Sequence, residues 1–269
     1  MLGSDLVAAC RDKGIDVAVF DLPEFDITDE KQLAGACKDA KVIINCAAYT
    51  NVEKAESERR AAMEINGAAV GRLGRIARKL DSWVLHISTD FVFDGTKNTP
   101  YVETDAPNPI SAYGKSKLEG EELLEESGCR KCIMRLEWTY GRAGNNFVKK
   151  LVSIAGSTGQ LKVVDDQIGS PTATTEAAKA VCGLLSKKPE GIFHFAASGF
   201  VSRFDMARFI IDKLCINAEL SRCKSSDYKT AAQRPLNSRF DCSKIRRILD
   251  KPIRPWEEPL EEFLVTGNW

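Results

Sequence analysis

The chain has 269 residues, with 38 Lys and Arg against 38 Asp and Glu and a formal net charge of zero. No excess of positive charge exists to hold a phosphate polymer or an anionic bilayer, which argues against nucleic-acid and membrane partners. A 43% hydrophobic, 28% charged composition excludes disordered and fibrous classes, and no apolar stretch reaches the ~20 residues that span a bilayer.

The N-terminus lacks a basic segment followed by a hydrophobic run, so the reading is cytoplasmic. The nine cysteines are odd in number and scattered through core-like segments, as expected of free thiols in a reducing compartment. Cys129 and Cys132 form one CxxC, but a zinc site wants a second pair or spaced histidines, and His86 and His194 both lie in strand-like runs. No metal is expected.

Met1, Leu2 and Gly3 open the chain at the glycine that would precede a first helix. A dinucleotide-binding unit begins earlier, with a hydrophobic strand and a glycine turn. The expectation is an N-terminally shortened form whose natural product carries about ten more residues; a natural truncation that survives as a non-catalytic binder is the alternative. Strand-like runs follow at Asp16 to Phe20, Val42 to Cys46, Trp83 to Ile87 and Lys131 to Leu136. Helical patterns alternate with them at Gln32 to Lys38, Arg60 to Leu80 and Tyr113 to Ser127. This order predicts α/β architecture: a Rossmann-like doubly wound parallel sheet without its first strand, binding ligand at the carboxyl ends of its strands.

After Gly141 the pattern loosens into a smaller mixed region. It holds the polar stretch Gly169 to Thr175, a helix from Glu176 to Ser186, a strand from Ile192 to Phe195 and a helix after Ser202. A basic loop around Arg234 and helices at Ser243 to Leu249 and Trp256 to Leu264 complete it. Residues 1–141 and 173–197 read as the dinucleotide-binding part, and 142–172 and 198–269 as the part that grips a nucleotide sugar.

The segment from His86 to Glu121 carries the chemistry. A strand ends in Ser88, Thr89 and Asp90, and Tyr113 and Lys117 follow four residues apart on a helix. That spacing puts phenol and ammonium on one face. A fixed cation should lower the phenol's pKa, so that Tyr113 donates a proton to a developing alkoxide, Lys117 tunes it and Thr89 polarises the carbonyl. A surface Tyr and Lys sharing a helix face is the plain alternative for YxxxK alone.

NCAAYTNVEKAE, STDFVFDG, YGKSKLEGE, RLEWTYG, VVDDQIGSPT and RPLNSRFD together resemble the dTDP-4-dehydrorhamnose reductase family, among the extended short-chain dehydrogenase/reductases. The resemblance implies NADH- or NADPH-dependent reduction of the 4-keto group of a nucleotide-linked 6-deoxyhexulose. It makes Thr89, Tyr113 and Lys117 catalytic, places Asp90 beside the sugar and packs Trp138 on the hexose. Asn45, Ala47, Ala48 and Tyr49 would form a cofactor wall, with Gly3 at the pyrophosphate and Asp26 and Ile27 at adenine. Tyr113 and Lys117 would also touch the cofactor. Asp21, directly after the Asp16 to Phe20 run, where the fold's second strand would end, would accept from ribose hydroxyls and lean toward NAD. Asp166, Gln167, Pro171 and Thr172 fall in the DQxGxPT segment. Arg234, Asn237 and Ser238 would hold the sugar nucleotide, the arginine by its planar fork. A homodimer is compatible with the family. Phe91 stands where the family usually has tyrosine, and Glu137 replaces a small polar residue, which leaves the exact sugar and nucleotide open. A non-catalytic subunit similar to the methionine adenosyltransferase β subunit is the alternative function.

Overall fold

The computed structural model describes residues 1–267. Four strands, Val42–Asn45, Trp83–Thr89, Arg130–Leu136 and Gly191–Phe195, lie side by side in that order, all parallel. Side chains alternate between faces along each strand. Trp83, Leu85, Met134, Leu136, Phe193 and Phe195 share one core with Leu6 and Cys10 of helix Leu2–Asp12 and Ala178 and Val181 of helix Thr174–Leu184. Val84 and Ile133 face the opposite core, against Leu73 and Ala77 of helix Ala69–Leu80 and Leu124 of helix Ala112–Glu126. With both faces covered, the central strands read as nearly continuous apolar runs. Because all four run in one direction, Asn45, Thr89 and Leu136 end at the same rim.

Three sequence expectations need correction. Asp16 to Phe20 makes no strand pairing, and Val19 and Phe20 are 57% and 52% exposed; its apolar pattern has no neighbouring backbone to ladder with. The Arg60 to Leu80 pattern is not one α-helix. Arg59–Met63 and Ala69–Leu80 are joined by a π-helical turn, Glu64–Ala68. The expected helix Ser243 to Leu249 shortens to Ser243–Arg246.

A second core gathers Val148, Leu151, Phe204, Ile210 and Leu260 from helices Phe147–Thr158, Arg203–Lys213 and Glu257–Val265, together with Tyr140 of the short strand Thr139–Tyr140 and Trp256 at the start of the last helix. Strands Gln160–Val164 and Glu219–Cys223 pair in parallel beside it, an element the sequence reading lacks because ELSRC carries two charges in five residues. The late chain also returns to the first core, where Phe240, Cys242 and Ile245 are buried. Ile168 bridges Asn237, and Tyr101 bridges Phe240. These contacts draw the DQxGxPT and RPxNS segments toward the sheet rim.

Candidate active site

Ser111 caps the helix that carries the tyrosine and lysine, its Oγ accepting from Gly114 N–H at 3.1 Å. Glu56 Oε1 accepts from the backbone N–H of Ala112 at 2.7 Å. These bonds satisfy N–H groups that a helix start leaves open, and they fix Tyr113 in the first turn beside the end of the Trp83–Thr89 strand. Its ring meets Phe91 edge-on at 5.4 Å. The residue keeps some contact with solvent, but enough protein surrounds its hydroxyl that burial raises the phenol to about 12; nearby Thr89 opposes the rise and the Asp90 charge adds to it.

The expected lowering by Lys117 is therefore not found, because that ammonium is engaged elsewhere. Lys117 Nζ donates to Ile87 O at 2.6 Å and lies 3.3 Å from His86 Nε2. His86 Nδ1 in turn lies 3.1 Å from the Asn45 amide nitrogen, while Asn45 Oδ1 accepts from Ala47 N–H at 3.1 Å. A neutral imidazole accepts at one nitrogen only, so His86 accepts from either the Asn45 amide or the Lys117 ammonium and not from both. Burial first, then the Lys117 charge, hold His86 well below the usual range, and burial lowers Lys117 to about 8 against the pull of Glu121 and Cys46.

Asn66, which the sequence reading passed over, completes this side. Its Oδ1 accepts from Tyr49 N–H at 2.8 Å, and its Nδ2 donates to Tyr49 O at 3.0 Å and Ser116 Oγ at 2.9 Å. The π turn brings the Asn66 carbonyl so near Gly120 that a Cβ there would stand 2.0 Å from the oxygen. The loop after Asn45 and the Tyr113 helix are thus fastened through one amide.

Thr89 donates to Asp90 Oδ1 at 3.0 Å, and Ser238 donates to Asp90 Oδ2 at 2.5 Å. Burial raises the Asp90 carboxyl while Ser238, Thr89 and the Arg203 charge pull it down. The sequence reading had the Thr89 hydroxyl polarising a substrate carbonyl; here its hydrogen goes to the adjacent carboxyl, and it must rotate to meet a ligand.

Beyond Asp90 the site differs from the sequence picture. Trp138 does not offer a bare face to a sugar: the Arg203 guanidinium lies 3.5 Å from its ring centre, and a Cβ at Gly169 would stand 2.6 Å from the ring. Arg203 also lies over Phe147 at 4.7 Å. Sequence reasoning missed Arg203, which opens a helix far along the chain from Trp138. Arg234 is engaged with Glu53 at 2.5 Å, and Glu53 also accepts from Ala231 and Ala232 N–H. Asn237 uses its amide on Lys97 O, Thr99 O and the Arg239 guanidinium, clamping a loop rather than opening toward the rim. Asp166 accepts from Ser225 N–H and Oγ, and Gln167 donates to Ser225 Oγ at 3.0 Å.

Of the expected cofactor residues, Gly3 lies in the first turn of helix Leu2–Asp12, where a methyl placed on its Cα would stand 3.7 Å from Cys46 Cβ. That helix start has no side-chain cap. Ala47 and Ala48 stand beside it at the rim, Ala47 exposed. Small side chains at a strand end and uncapped N–H groups nearby fit the requirements of a dinucleotide's pyrophosphate. Asp21 is exposed and accepts from Leu22 N–H at 2.9 Å. Asp26 caps Thr28, whose N–H and Oγ donate to Oδ1 at 2.8 Å, and Ile27 is buried in the second-face core; both begin the turn into helix Glu30–Cys37.

The parallel sheet and the Thr89, Tyr113 and Lys117 face at its carboxyl rim define a Rossmann-like α/β oxidoreductase. A family model described as RmlD substrate binding domain matches residues 1–268, and the chain belongs to that family. It is 37% identical to a dTDP-4-dehydrorhamnose reductase of Sinorhizobium fredii, over 91% of this chain and 87% of that protein. It is 38% identical to one from Aggregatibacter actinomycetemcomitans, over 97% and 94%. Among solved structures, a dTDP-4-dehydrorhamnose reductase from Clostridium acetobutylicum aligns with TM-score 0.94 at 34% identity, covering 100% of this chain and 96% of that one. Another from Bacillus anthracis, in complex with NADP, aligns with TM-score 0.94 at 32% identity, covering 98% and 95%.

Proposed function

We propose that this chain reduces the 4-keto group of a nucleotide-linked 6-deoxyhexulose, dTDP-4-dehydrorhamnose, to give dTDP-L-rhamnose. The observation that carries the reading is the position of Tyr113, in the first turn of helix Ala112–Glu126 with its ring against Phe91, two residues beyond Thr89 at the strand end. NADPH or NADH, when bound, supplies the hydride to the carbonyl carbon. Tyr113 Oη gives its proton to the carbonyl oxygen as general acid. Thr89, turning from Asp90, orients that oxygen. Lys117 and His86 hold the strand end and the helix in register. Ala47, Ala48, the first turn containing Gly3, and Lys117 would hold the cofactor. Residues 142–172 and 198–269 supply the sugar-nucleotide side, with Arg203 as its cation; residues 268 and 269 lie outside the described residues. The protein acts in solution without nucleic acid or membrane partners, in the cytoplasm, and as a homodimer.

The test is oxidation of NADPH and NADH, followed by absorbance, with dTDP-4-keto-6-deoxyhexulose. Turnover dependent on both substrates, with dTDP-L-rhamnose as product, supports the reading; cofactor and sugar nucleotide that bind without turnover overturn it.

A further inference from the structure

The imidazole of His86 sits between two donors. His86 and Lys117 are 0% and 2% exposed, so their partners are protein groups. Asn45 Nδ2 lies 3.1 Å from Nδ1, and Lys117 Nζ lies 3.3 Å from Nε2. The Asn45 amide is oriented by its other end, since Oδ1 accepts from Ala47 N–H at 3.1 Å. Lys117 Nζ is oriented by Ile87 O, to which it donates at 2.6 Å. Burial and the Lys117 charge keep the imidazole neutral, and a neutral imidazole has one donor and one acceptor. With an ammonium at Lys117 both neighbours donate, and one of the two contacts faces hydrogen to hydrogen. With a free amine there, every atom is satisfied: Asn45 donates to Nδ1, Nε2–H donates to the amine lone pair, and the amine donates to Ile87 O.

An ammonium is accommodated in one other way. The imidazole carries its hydrogen on Nδ1, the Asn45 amide turns so that Oδ1 accepts it, and Nε2 accepts from Lys117. The turned amide then presents Nδ2 to Ala47, whose N–H loses its acceptor. We propose that His86 is a positioning residue that couples the charge on Lys117 to the Asn45 amide, so that protonating Lys117 releases the Ala47 N–H at the sheet rim. One proton enters from water overall: the imidazole passes its Nε2 hydrogen to Nζ and receives one at Nδ1, remaining neutral.

Ala47 is exposed, and a released N–H there is a donor for an anion. Resting on the reductase reading, that anion is the dinucleotide, so the charged lysine and the free N–H arise together where the cofactor enters. The other groups around Lys117 are accounted for. Glu121, one turn along the same helix, is held by Arg135 and Ser88. Cys46, just past the Val42–Asn45 strand, is a thiol pushed up to about 11 by burial, with the N-terminal amino group and Lys117 opposing. Glu121 and Cys46 favour the ammonium, but burial, the largest influence, brings Lys117 down to about 8, which puts the exchange in an accessible pH range.

The experiment uses the cofactor-free protein, so its outcome stands whether or not the reductase reading does. Heteronuclear NMR on nitrogen-15-labelled protein follows the side-chain nitrogens of His86 and Lys117 and the Ala47 amide from about pH 6.5 to 9.5. His194 is the only other histidine, and a His86→Phe sample assigns the imidazole. The His86 hydrogen should move from Nδ1 at the acid end to Nε2 at the alkaline end, Lys117 should pass from ammonium to amine, and the Ala47 amide should shift, all with one midpoint. In His86→Phe, Lys117 should still titrate while the Ala47 amide stays fixed. An imidazole that keeps one tautomer through the Lys117 titration overturns the proposal. So does a Lys117 that holds its charge across the whole range, or an Ala47 amide that still follows Lys117 in His86→Phe. Should that variant fail to fold, the wild-type titration decides alone.

Discussion

Across the sheet rim, buried polarity is handled in two opposite ways. On the Tyr113 side, Asn45, His86, Lys117 and Asn66 bond to one another or to nearby backbone. On the Trp138 side, both carboxyl oxygens of Glu137 are buried without such a bond. Satisfied networks hold their members in one geometry, whereas unsatisfied groups are poised for something that arrives later. The first arrangement suits a proton donor that must not move.

The largest effect should come from Tyr113→Phe, which keeps the ring and its edge contact with Phe91 but removes the proton. Steady-state turnover should fall about 10²- to 10⁴-fold with sugar-nucleotide affinity little changed. Wild-type-like turnover would remove Tyr113 from the chemistry and with it the distinction between the two sides.

Next comes Arg135→Met. Arg135 and Glu121 form an ion pair at 2.5 Å with side chains only 2% and 4% exposed, so removing one partner strands the other. Urea unfolding should show a loss of about 3 to 5 kcal/mol. A loss below about 1 kcal/mol would mean that the satisfied interior contributes little, weakening the contrast with Glu137.

Glu137→Gln should act in the other direction, and its pH dependence gives the sign. The folded-state pKa of Glu137 lies above its unfolded value. At low pH both states are protonated and no penalty exists. As pH rises past the ordinary glutamate range, the unfolded chain ionises first and the native state is disfavoured until its own carboxyl titrates. The variant's melting temperature should therefore match wild type near pH 4 and exceed it by a margin that grows toward pH 8. A constant difference across that range would show that Glu137 ionises freely and is not held as a neutral acid.

The smallest effect is expected at Arg234→Ala. Arg234 and Glu53 are 33% and 41% exposed, so breaking this pair should alter stability by about 1 kcal/mol or less. A larger loss in the urea transition would class the Arg234 loop with the buried network rather than with the open side.

Spacing makes one of these two sides legible from the sequence alone. YxxxK puts Tyr113 and Lys117 on one helix face, and the STD strand end directs Thr89 and Asp90 to the rim. Four parallel strands and their covering helices follow from apolar runs, with ends within a few residues. Arg203 is hidden because nothing local links it to Trp138; only the packing of the late helices brings a guanidinium onto that ring. Asn66 is hidden in a segment whose apolar period reads as an ordinary helix. Glu137 stands out as a misplaced charge, but its isolation depends on which backbone groups stop short of it. The direction of the Tyr113 shift fails for a related reason: sequence gives the distance between two residues on a helix, but not the carbonyl of Ile87 that draws the ammonium away.

The wide turn at Glu64–Ala68 has a mechanical meaning as well. A π turn places an extra residue in the helical circuit relative to an α turn, so the helix before it and the helix after it run out of phase by one step, like two gears on a shaft with a tooth inserted between them. Val70, Leu73 and Ala77 keep their inward phase while Asn66 is rotated toward the Tyr49 loop. Deleting one residue within 64–68 would let the two segments mesh as a single uninterrupted α-helix, sparing the core behind it and disconnecting the amide that ties the rim to the Tyr113 helix.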